Sequence, residues 1–265
     1  MAAVSNFFKA NKMLSEVNAT AITLVPKVSN PSCLNDYRPI SCCNVIYKCI
    51  SKIITNRIKS VIHLVVSNNQ SAFVSGRSIG TCYALLSHEL LRYYHRDRGP
   101  PRCTVNLYIR KAYDMVRWEA IIGALKLLYF PSKLIDWIFT CLRTTKYSNS
   151  VNGALEGYFD GHRGIRQGDP MSPYLFVLVM EVLGSLLRSK VQEGLFFALH
   201  PRCISPQVTH LAFADDLLVF FGDDIVSASS LGDFLNPFYE ITGLEANLGE
   251  SKVFFAGVED TDKES

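Results

Sequence analysis

Two apolar runs that flank a pair of adjacent carboxylates constrain the fold of this chain more than any other feature. Val208–Phe213 comes before the pair Asp215-Asp216, and Leu217–Phe221 follows it. Short apolar runs on both sides of a tight polar turn are typical of two paired β-strands. The sequence therefore predicts a β-hairpin with both carboxylates at its tip, although the Asn-Gly pair typical of the tightest hairpins is lacking there.

Periodic apolar patterns predict helices and strands over most of the remaining chain. Helical spacing covers Val45–Val66, Trp118–Leu128, Leu175–Leu187 and about Ile225–Ile241. β-type runs cover Ile22–Val25, Cys103–Ile109 and Lys252–Phe255. Two segments that contain proline are predicted to be loops, namely Asn35–Ser41 and Gly161–Pro173. Strands that alternate with helices in this way predict an α+β fold.

The composition bounds the cellular setting. The 265 residues are 48% hydrophobic, and the net charge of +3 is too small to indicate nucleic-acid binding without a local basic patch. None of the eight cysteines forms a C-x-x-C pair, which favours reduced thiols in an intracellular protein. The start lacks a secretory signal, and the most apolar stretch, Tyr174–Leu187, is shorter than a membrane span of roughly 20 residues. We expect a nuclear or cytoplasmic protein that is not secreted and has no membrane role.

The adjacent carboxylates Asp215 and Asp216 allow two interpretations. Neighbouring negative charges repel each other unless a cation neutralises them, and two carboxylate-bound magnesium ions can catalyse template-directed nucleotide addition. An isolated Asp-Asp pair is more often a solvated acidic turn. The pair alone therefore decides nothing, and the other motifs of the chain have to be considered with it.

Five motifs follow one another in an order that identifies a family. They are Asn35–Ser41, Asn69–Val74 with Gly76–Ser78, Arg110–Asp114, Arg163–Pro173 and Phe213–Asp216. In this order they closely resemble the reverse transcriptase domain of non-LTR (LINE-type) retrotransposons, plant members in particular, from about Ala19 to Val258. The resemblance implies a right-handed polymerase fold that uses an RNA template, a DNA primer, deoxynucleoside triphosphates and two Mg2+ ions. No protein partner can be predicted.

The resemblance also implies a division of the chain. Residues 1–102 would form the fingers and their approach to the palm. Residues 103–258 would form the palm, with an antiparallel sheet, the catalytic hairpin and the helices of 117–145 on the fingers side. Residues 259–265 would form an acidic tail. Because the chain stops a few residues after Gly257, we expect no thumb.

Five residues match family positions that contact the incoming nucleotide. Lys27 and Arg38 resemble the cations of the fingers that bind the triphosphate, where arginine can hold two phosphate oxygens at once. Tyr113 resembles the steric gate that excludes a ribose 2′-hydroxyl. Gln167 resembles the residue along the nascent base pair, and Gly168 would let the backbone approach the substrate. Simpler interpretations remain: Arg38 could bind carbonyls of its own loop, Tyr113 could only pack, and Gln167 could cap a turn.

Basic residues would follow the phosphates of the template without reading its sequence. The candidates are Lys48, Lys52, Arg57, Lys59, Arg77, Arg92, Arg96 and Arg98. Solvated helix faces explain these positions almost as well.

One departure from the family concerns the metal site. Asp215 resembles the second metal-binding carboxylate and Asp216 its neighbour of lesser catalytic weight, but the first and bridging aspartate is replaced by Tyr108. A phenol with a reference pKa near 10 stays protonated at neutral pH, whereas magnesium prefers carboxylate oxygens. Neither Asn106, a neutral amide about 6.6 Å further along the strand, nor Asp114 of the next turn replaces it. We expect activity to be lower by roughly a thousandfold or more.

A second departure concerns the last predicted strand. The family has a lysine where this chain has Glu250, and the nearby Lys252 should face a different way from that position if the last strand has already begun there. Three functions remain open at this point. They are a working RNA-directed DNA polymerase, an inactive relic that still binds nucleic acid, and a co-opted RNA-binding or splicing cofactor. No sequence feature specifically supports the last of these.

Overall fold

The computed structural model describes residues 2–77, 84–92, 102–192, 208–222 and 225–256. Within these ranges a short 3-10 helix, Leu34–Asp36, accompanies eight α-helices and eight strands. In chain order they are α1 (Ala2–Ala10), β1 (Ala19–Pro26), β2 (Tyr37–Cys43), α2 (Val45–Val65), α3 (Leu85–Leu91), β3 (Arg102–Tyr108), α4 (Ala112–Met115), α5 (Trp118–Leu127), α6 (Ser132–Arg143), β4 (Lys146–Val151), β5 (Ala154–Asp160), α7 (Ser172–Gln192), β6 (His210–Phe213), β7 (Asp216–Gly222), α8 (Ile225–Thr242) and β8 (Lys252–Ala256). The α+β class is confirmed, as is every helix and strand that the apolar patterns predicted.

The chain forms two compact units, and each is built from two chain segments. Unit 1 consists of Met1–Val61 and Tyr113–Phe176, and unit 2 consists of Ile62–Ala112 and Val177–Ser265. The sequence-based division into fingers (1–102) and palm (103–258) ran consecutively along the chain, so its boundary does not coincide with those of the units. The assignment of fingers and palm to particular residues stays a prediction, and the acidic tail 259–265 lies outside the described residues.

Unit 1 contains a four-stranded sheet in the order β2-β1-β4-β5. Strand β1 pairs antiparallel with β2 and parallel with β4, and β4 and β5 form a hairpin. The hairpin turns at Asn152 and Gly153, whose φ angles of 50° and 85° are those that an Asn-Gly turn requires. Sequence analysis missed this hairpin because β5 is exposed along its whole length and therefore shows no buried face. The Asn-Gly pair was the available signal.

The segment Asn35–Ser41 was predicted to be a loop, and this prediction was wrong. Its first residues belong to the 3-10 helix, and the rest belongs to β2, in which Pro39 pairs with Leu24 of β1. Proline lacks an N–H donor, but β2 is the edge strand of the sheet and needs donors on one side only. The proline therefore does not interrupt the strand.

Helix α2 has one buried stripe in unit 1. Tyr47, Ile50, Ile54 and Ile58 recur at three- and four-residue spacing, and each is at most 1% exposed. The fully buried side chain of Tyr47 is the one stripe member with a polar atom, so its hydroxyl needs a partner inside the protein.

Unit 2 contains the second sheet, in the order β6-β7-β3-β8, with every neighbouring pair antiparallel. The central strands are buried on both faces, as neighbouring residues with opposite side chains show: Thr104 and Val105 of β3, and Leu218 and Val219 of β7. The hairpin predicted around the two carboxylates is confirmed as β6 and β7. The stretch Ser172–Ser189 of α7 is long and apolar enough to cross a membrane by length and composition alone, but 61% of it is buried inside the protein, as in a core helix.

Candidate functional site

The tip of the β6–β7 hairpin presents two carboxylates. Phe213 pairs with Asp216 across the hairpin, and Ala214 makes the turn with a φ of 56°, which is uncommon for a residue with a side chain. Asp215 is exposed and Asp216 is half-buried. Burial raises the pKa of Asp216 above its usual value, and the neighbouring charge of Asp215 raises it further. The hairpin therefore holds two anionic groups that repel each other.

Tyr108 is the last residue of β3 and lies directly opposite Asp216 of β7. Side chains of opposed residues share one face of the sheet, with Cβ atoms roughly 5 Å apart. The backbone of Tyr108 is fixed from the other side, because its carbonyl accepts a hydrogen bond from the Asn247 amide at 2.7 Å. Its amide donates to the Ser251 hydroxyl at 3.3 Å. The strand register thus brings together Tyr108 and Asp216, two of the residues singled out from the sequence.

The same face of the sheet continues through Asn106. Asn106 lies two residues before Tyr108 and is opposed by Leu218 of β7 and by Lys252 of β8. This register puts the exposed side chain of Lys252, which was expected to face a different way from position 250, on the face shared with Asn106 and Tyr108. Strand β8 begins at Lys252 itself, and its register with β3 could not be read from the sequence.

The donor atoms at this end of the hairpin and of β3 do not fit the two-magnesium centre that the resemblance implies. Asp215 and Asp216 supply carboxylates from one strand end, while the facing strand supplies the neutral phenol of Tyr108. In the part of the chain that the structure describes, no cluster of three or more His, Cys, Asp or Glu residues could hold a metal ion. A magnesium pair needs carboxylate oxygens in near-octahedral geometry, and one side of the site lacks them.

In unit 1, the candidate phosphate ligands lie on and beside the edge strand β2. Arg38 is exposed and pairs with Val25 of β1. The Lys27 ammonium donates a hydrogen bond to the Asn35 carbonyl at 2.9 Å, so it lies against its own loop. The Asp36 carboxylate accepts hydrogen bonds from the backbone amides of Ser32 and Cys33, which lower its pKa. These bonds hold the loop that joins β1 to β2.

The Gln167-Gly168 segment is docked on the same strand. The Ser41 amide of β2 donates to the Gln167 carbonyl at 2.7 Å. Gly168 has a φ of 115°, and a Cβ atom there would lie 2.9 Å from the Ser41 carbonyl oxygen. The sequence predicted that glycine would let the backbone approach a substrate, whereas within unit 1 it lets the backbone approach β2. Gln167 is thereby attached to the strand that carries Arg38, three residues away from it.

Tyr113 is attached to the other end of this loop. The Ile165 amide donates to the Tyr113 carbonyl at 2.7 Å, and a Cβ atom at Gly164 would lie 2.8 Å from the Asp114 carbonyl oxygen. The Tyr113 ring stacks on Phe176, with centroids 5.4 Å apart. The structure therefore brings the candidate nucleotide-binding residues Arg38, Tyr113, Gln167 and Gly168 onto one connected framework in unit 1.

The candidate template-binding residues fall into different groups. Lys48, Lys52 and Lys59 are exposed on α2. The Arg57 guanidinium lies 5.3 Å from the ring centroids of both Phe8 and Trp137. Arg92 forms an ion pair with Glu89 at 3.5 Å. Arg96 and Arg98 lie outside the described residues. The remaining candidate is Arg77.

Arg77 has an internal role that the sequence did not indicate. Its guanidinium donates to the carbonyl oxygens of Val66, Ser67 and Gln70 at 3.2, 2.6 and 2.7 Å, respectively. Carbonyl groups beyond the last turn of a helix lack partners of their own. Arg77 therefore binds the chain after α2, a role that neither template binding nor a solvated helix face had predicted.

Comparisons with known proteins agree with the motifs. The family model described as reverse transcriptase (RNA-dependent DNA polymerase) matches residues 25–254. The chain is 28% identical over 216 residues to the "Transposon TX1 uncharacterized 149 kDa protein" of Xenopus laevis, with 82% of this chain and 16% of that protein covered. It is 28% identical over 240 residues to the Pol polyprotein from type-1 retrotransposable element R2 of Popillia japonica, with 88% and 31% covered. The chain thus spans less than a third of the length of these relatives.

A solved structure shows the same fold. The apo telomerase from Candida tropicalis, truncated from its C-terminal domain, superposes with a TM-score of 0.59 at 11% identity. The superposition covers 98% of this chain and 55% of the telomerase. At this level of identity the likeness concerns the fold alone.

Proposed function

Since the chain belongs to the reverse transcriptase (RNA-dependent DNA polymerase) family, we propose that it is the reverse transcriptase domain of a LINE-type retroelement in which Tyr108 impairs nucleotide transfer. The observation that supports this proposal is the register that pairs Tyr108 with Asp216 at the ends of β3 and β7. Reverse transcriptases act with divalent metal ions, and this is the place where a carboxylate would have to face the hairpin.

The expected impairment follows from the charge of the facing group. A carboxylate at position 108 would add a negative charge beside Asp216, and only a bound cation makes that arrangement favourable. A neutral phenol removes both the charge and the anionic ligand oxygen. A bridging carboxylate contributes several kcal/mol to transition-state stabilisation, so its loss lowers the rate by about a thousandfold or more.

The substrates we propose are those of the family. An RNA-dependent DNA polymerase copies an RNA template, and we propose a DNA primer and deoxynucleoside triphosphates as the other substrates. The framework in unit 1 supports a nucleotide site, because Arg38 is exposed at the strand edge on which Gln167 is docked. Three exposed cations of α2, Lys48, Lys52 and Lys59, are suited to a phosphate backbone.

Primer extension tests the proposal directly. Extension of oligo(dT) on poly(rA) is measured in Mg2+ and in Mn2+ for the unaltered chain and for Tyr108→Asp. We expect weak or no extension by the unaltered chain and a gain of about a thousandfold in the variant. Tyr108→Phe is the matched control, since it keeps the ring and supplies no carboxylate, and Asp215→Ala in the Tyr108→Asp background should abolish the gain. Robust extension by the unaltered chain that Asp215→Ala abolishes would refute the role given to Tyr108.

A second candidate function is nucleic-acid binding without catalysis. The exposed cations of α2 favour it, because they do not depend on the metal site. Fluorescence anisotropy with a labelled poly(rA)/oligo(dT) duplex should show binding that weakens as salt is raised. Absence of binding at low salt would exclude this function.

A further inference from the structure

Two charged side chains flank the Gln167-Gly168 segment, and both are buried. Arg166 and Asp169 are each 5% exposed. A buried charge destabilises a protein unless it is hydrogen-bonded, so the hydrogen-bond partners of these two groups indicate their role. Sequence analysis gave neither residue a role, although both belong to one of the five motifs.

The Asp169 carboxylate binds helix α2. One oxygen accepts a hydrogen bond from the Tyr47 hydroxyl at 2.5 Å. The other accepts a hydrogen bond from the Ser51 hydroxyl and one from the Met171 amide, the latter at 3.0 Å. Burial raises the pKa of Tyr47 well above its usual value, so its hydroxyl stays protonated and donates to the carboxylate. Tyr47 and Ser51 lie one helical turn apart, and together they tie the end of the loop to one face of α2.

The Arg166 guanidinium binds residues next to β1 and β4. It donates to the Asn18 side-chain carbonyl at 2.6 Å and to the Thr145 hydroxyl at 2.5 Å. It also lies over the Tyr47 ring, 4.2 Å from the centroid. The cavity beside these groups is only about 10 Å³, room for roughly one water molecule and too small for a nucleotide. The two charges therefore serve the chain itself rather than a ligand.

The consequence concerns Gln167 and Gly168, the two residues between these charges. Both neighbours are fixed, and the Gln167 carbonyl is bound to the Ser41 amide, so the segment has little freedom left. Ser41 lies three residues after Arg38 on β2. We propose that Tyr47, Arg166 and Asp169 are positioning residues that hold Gln167-Gly168 against β2 and so set the affinity for the incoming nucleotide. The affinity part of this inference rests on the proposed function.

Tyr47→Phe tests the inference with a minimal change. It keeps the ring beneath Arg166 and removes only the hydroxyl, which leaves one Asp169 oxygen without its donor. Binding of radiolabelled dTTP with Mg2+ to the complex with poly(rA)/oligo(dT) should weaken about tenfold, the usual effect of a lost hydrogen bond to a charged group. The affinity for the duplex should not change. Tyr129→Phe is the matched control, because Tyr129 is 93% exposed in the same unit.

A double-mutant cycle shows whether Tyr47 acts through Asp169. Asp169→Ala alone should also weaken dTTP binding, and adding Tyr47→Phe to it should have little further effect, since alanine offers no acceptor and either change removes the bond between the two side chains. Unchanged dTTP binding by Tyr47→Phe overturns the inference. A parallel loss of duplex affinity also overturns it, because that result indicates general unfolding.

Hydrogen exchange decides the positioning role independently of nucleotide binding. Tyr47→Phe should speed exchange about tenfold in peptides covering 37–43 and 164–171, while 146–160 in the same unit keeps its rate. Failure of the unaltered chain to bind dTTP would contradict the proposed function, and the exchange rates then decide alone. Faster exchange confined to the two segments supports the positioning role. Unchanged exchange, or equal acceleration in 146–160, overturns it.

Discussion

Gly168→Ala is the substitution for which unit 1 makes the sharpest prediction. At φ 115° an alanine is strained whatever the space, which costs about 1–3 kcal/mol. The added Cβ would also lie 2.9 Å from the Ser41 carbonyl oxygen, a backbone atom that cannot turn away as a side chain can. Moving the loop or the strand adds about 1–3 kcal/mol. We therefore expect the free energy of unfolding to fall by roughly 2–6 kcal/mol, a large share of the stability of many domains.

Two other glycines of unit 1 separate the causes. Gly153 has a φ of 85° and nothing within 4 Å of its Cβ position, so Gly153→Ala reports backbone strain alone, about 1–2 kcal/mol. Gly123 lies in α5 with open space around it, so Gly123→Ala should stabilise the protein by about 0.5–1 kcal/mol. Urea unfolding followed by circular dichroism measures all three. Equal losses for Gly168→Ala and Gly153→Ala would refute the steric conflict with Ser41.

Three further predictions concern pH, a capping arginine and salt. Burial, and to a lesser degree Arg188, lowers the pKa of His210 to about 4. Its folded pKa lies below the unfolded value near 6.5, so stability is intact above pH 6.5 and falls by roughly 3 kcal/mol as the pH drops to about 4. In unfolding curves measured between pH 4 and 7, His210→Gln should flatten this dependence of stability on pH. An unchanged dependence would exclude His210 as its source. Arg77→Ala should lower the free energy of unfolding by about 2–3 kcal/mol in urea titrations and leave the salt dependence of duplex binding unchanged. A weaker dependence of duplex affinity on salt concentration in Arg77→Ala would show that Arg77 does bind the template. The exposed cations of α2 are removed by Lys48→Gln, Lys52→Gln and Lys59→Gln. Their loss should lower the slope of log affinity against log salt concentration by about 0.9 for each phosphate that the protein no longer neutralises. An unchanged slope would exclude these lysines from the nucleic-acid site.

Patterns with one buried face could be predicted from the sequence, and patterns without one could not. The stripe of α2 and the apolar runs on either side of Asp215 are visible because burial selects the residue types. Strand β5 is exposed on both faces, so its residues carry no such signal. Strand β2 was hidden for another reason, since the meaning of Pro39 depends on whether its strand lies at an edge, which only the assembled sheet decides.

The candidate site shows the same limit. Position 108 could be singled out from the motifs, because it lies two residues before Arg110 in a recognisable run, and its role stays a prediction. The internal partners of Arg77 and Arg166 could not, since both arginines look like any other surface cation in a sequence. Their hydrogen bonds join residues far apart in the chain, Arg166 to Asn18 for example, and such bonds follow from tertiary structure alone.

The interleaving of the two units has a consequence for synthesis on the ribosome. Ile22 of β1 pairs with Asn149 of β4, so the sheet of unit 1 cannot close until most of its second segment has emerged. By then the whole first segment of unit 2 has been translated, but its strand β3 has no partner until β7 and β8 are made. Domains usually fold in turn as the nascent chain lengthens, and sequence-distant pairing is slow. Both units of this protein must instead complete their sheets late, and their first strands stay unpaired on at least one side until then.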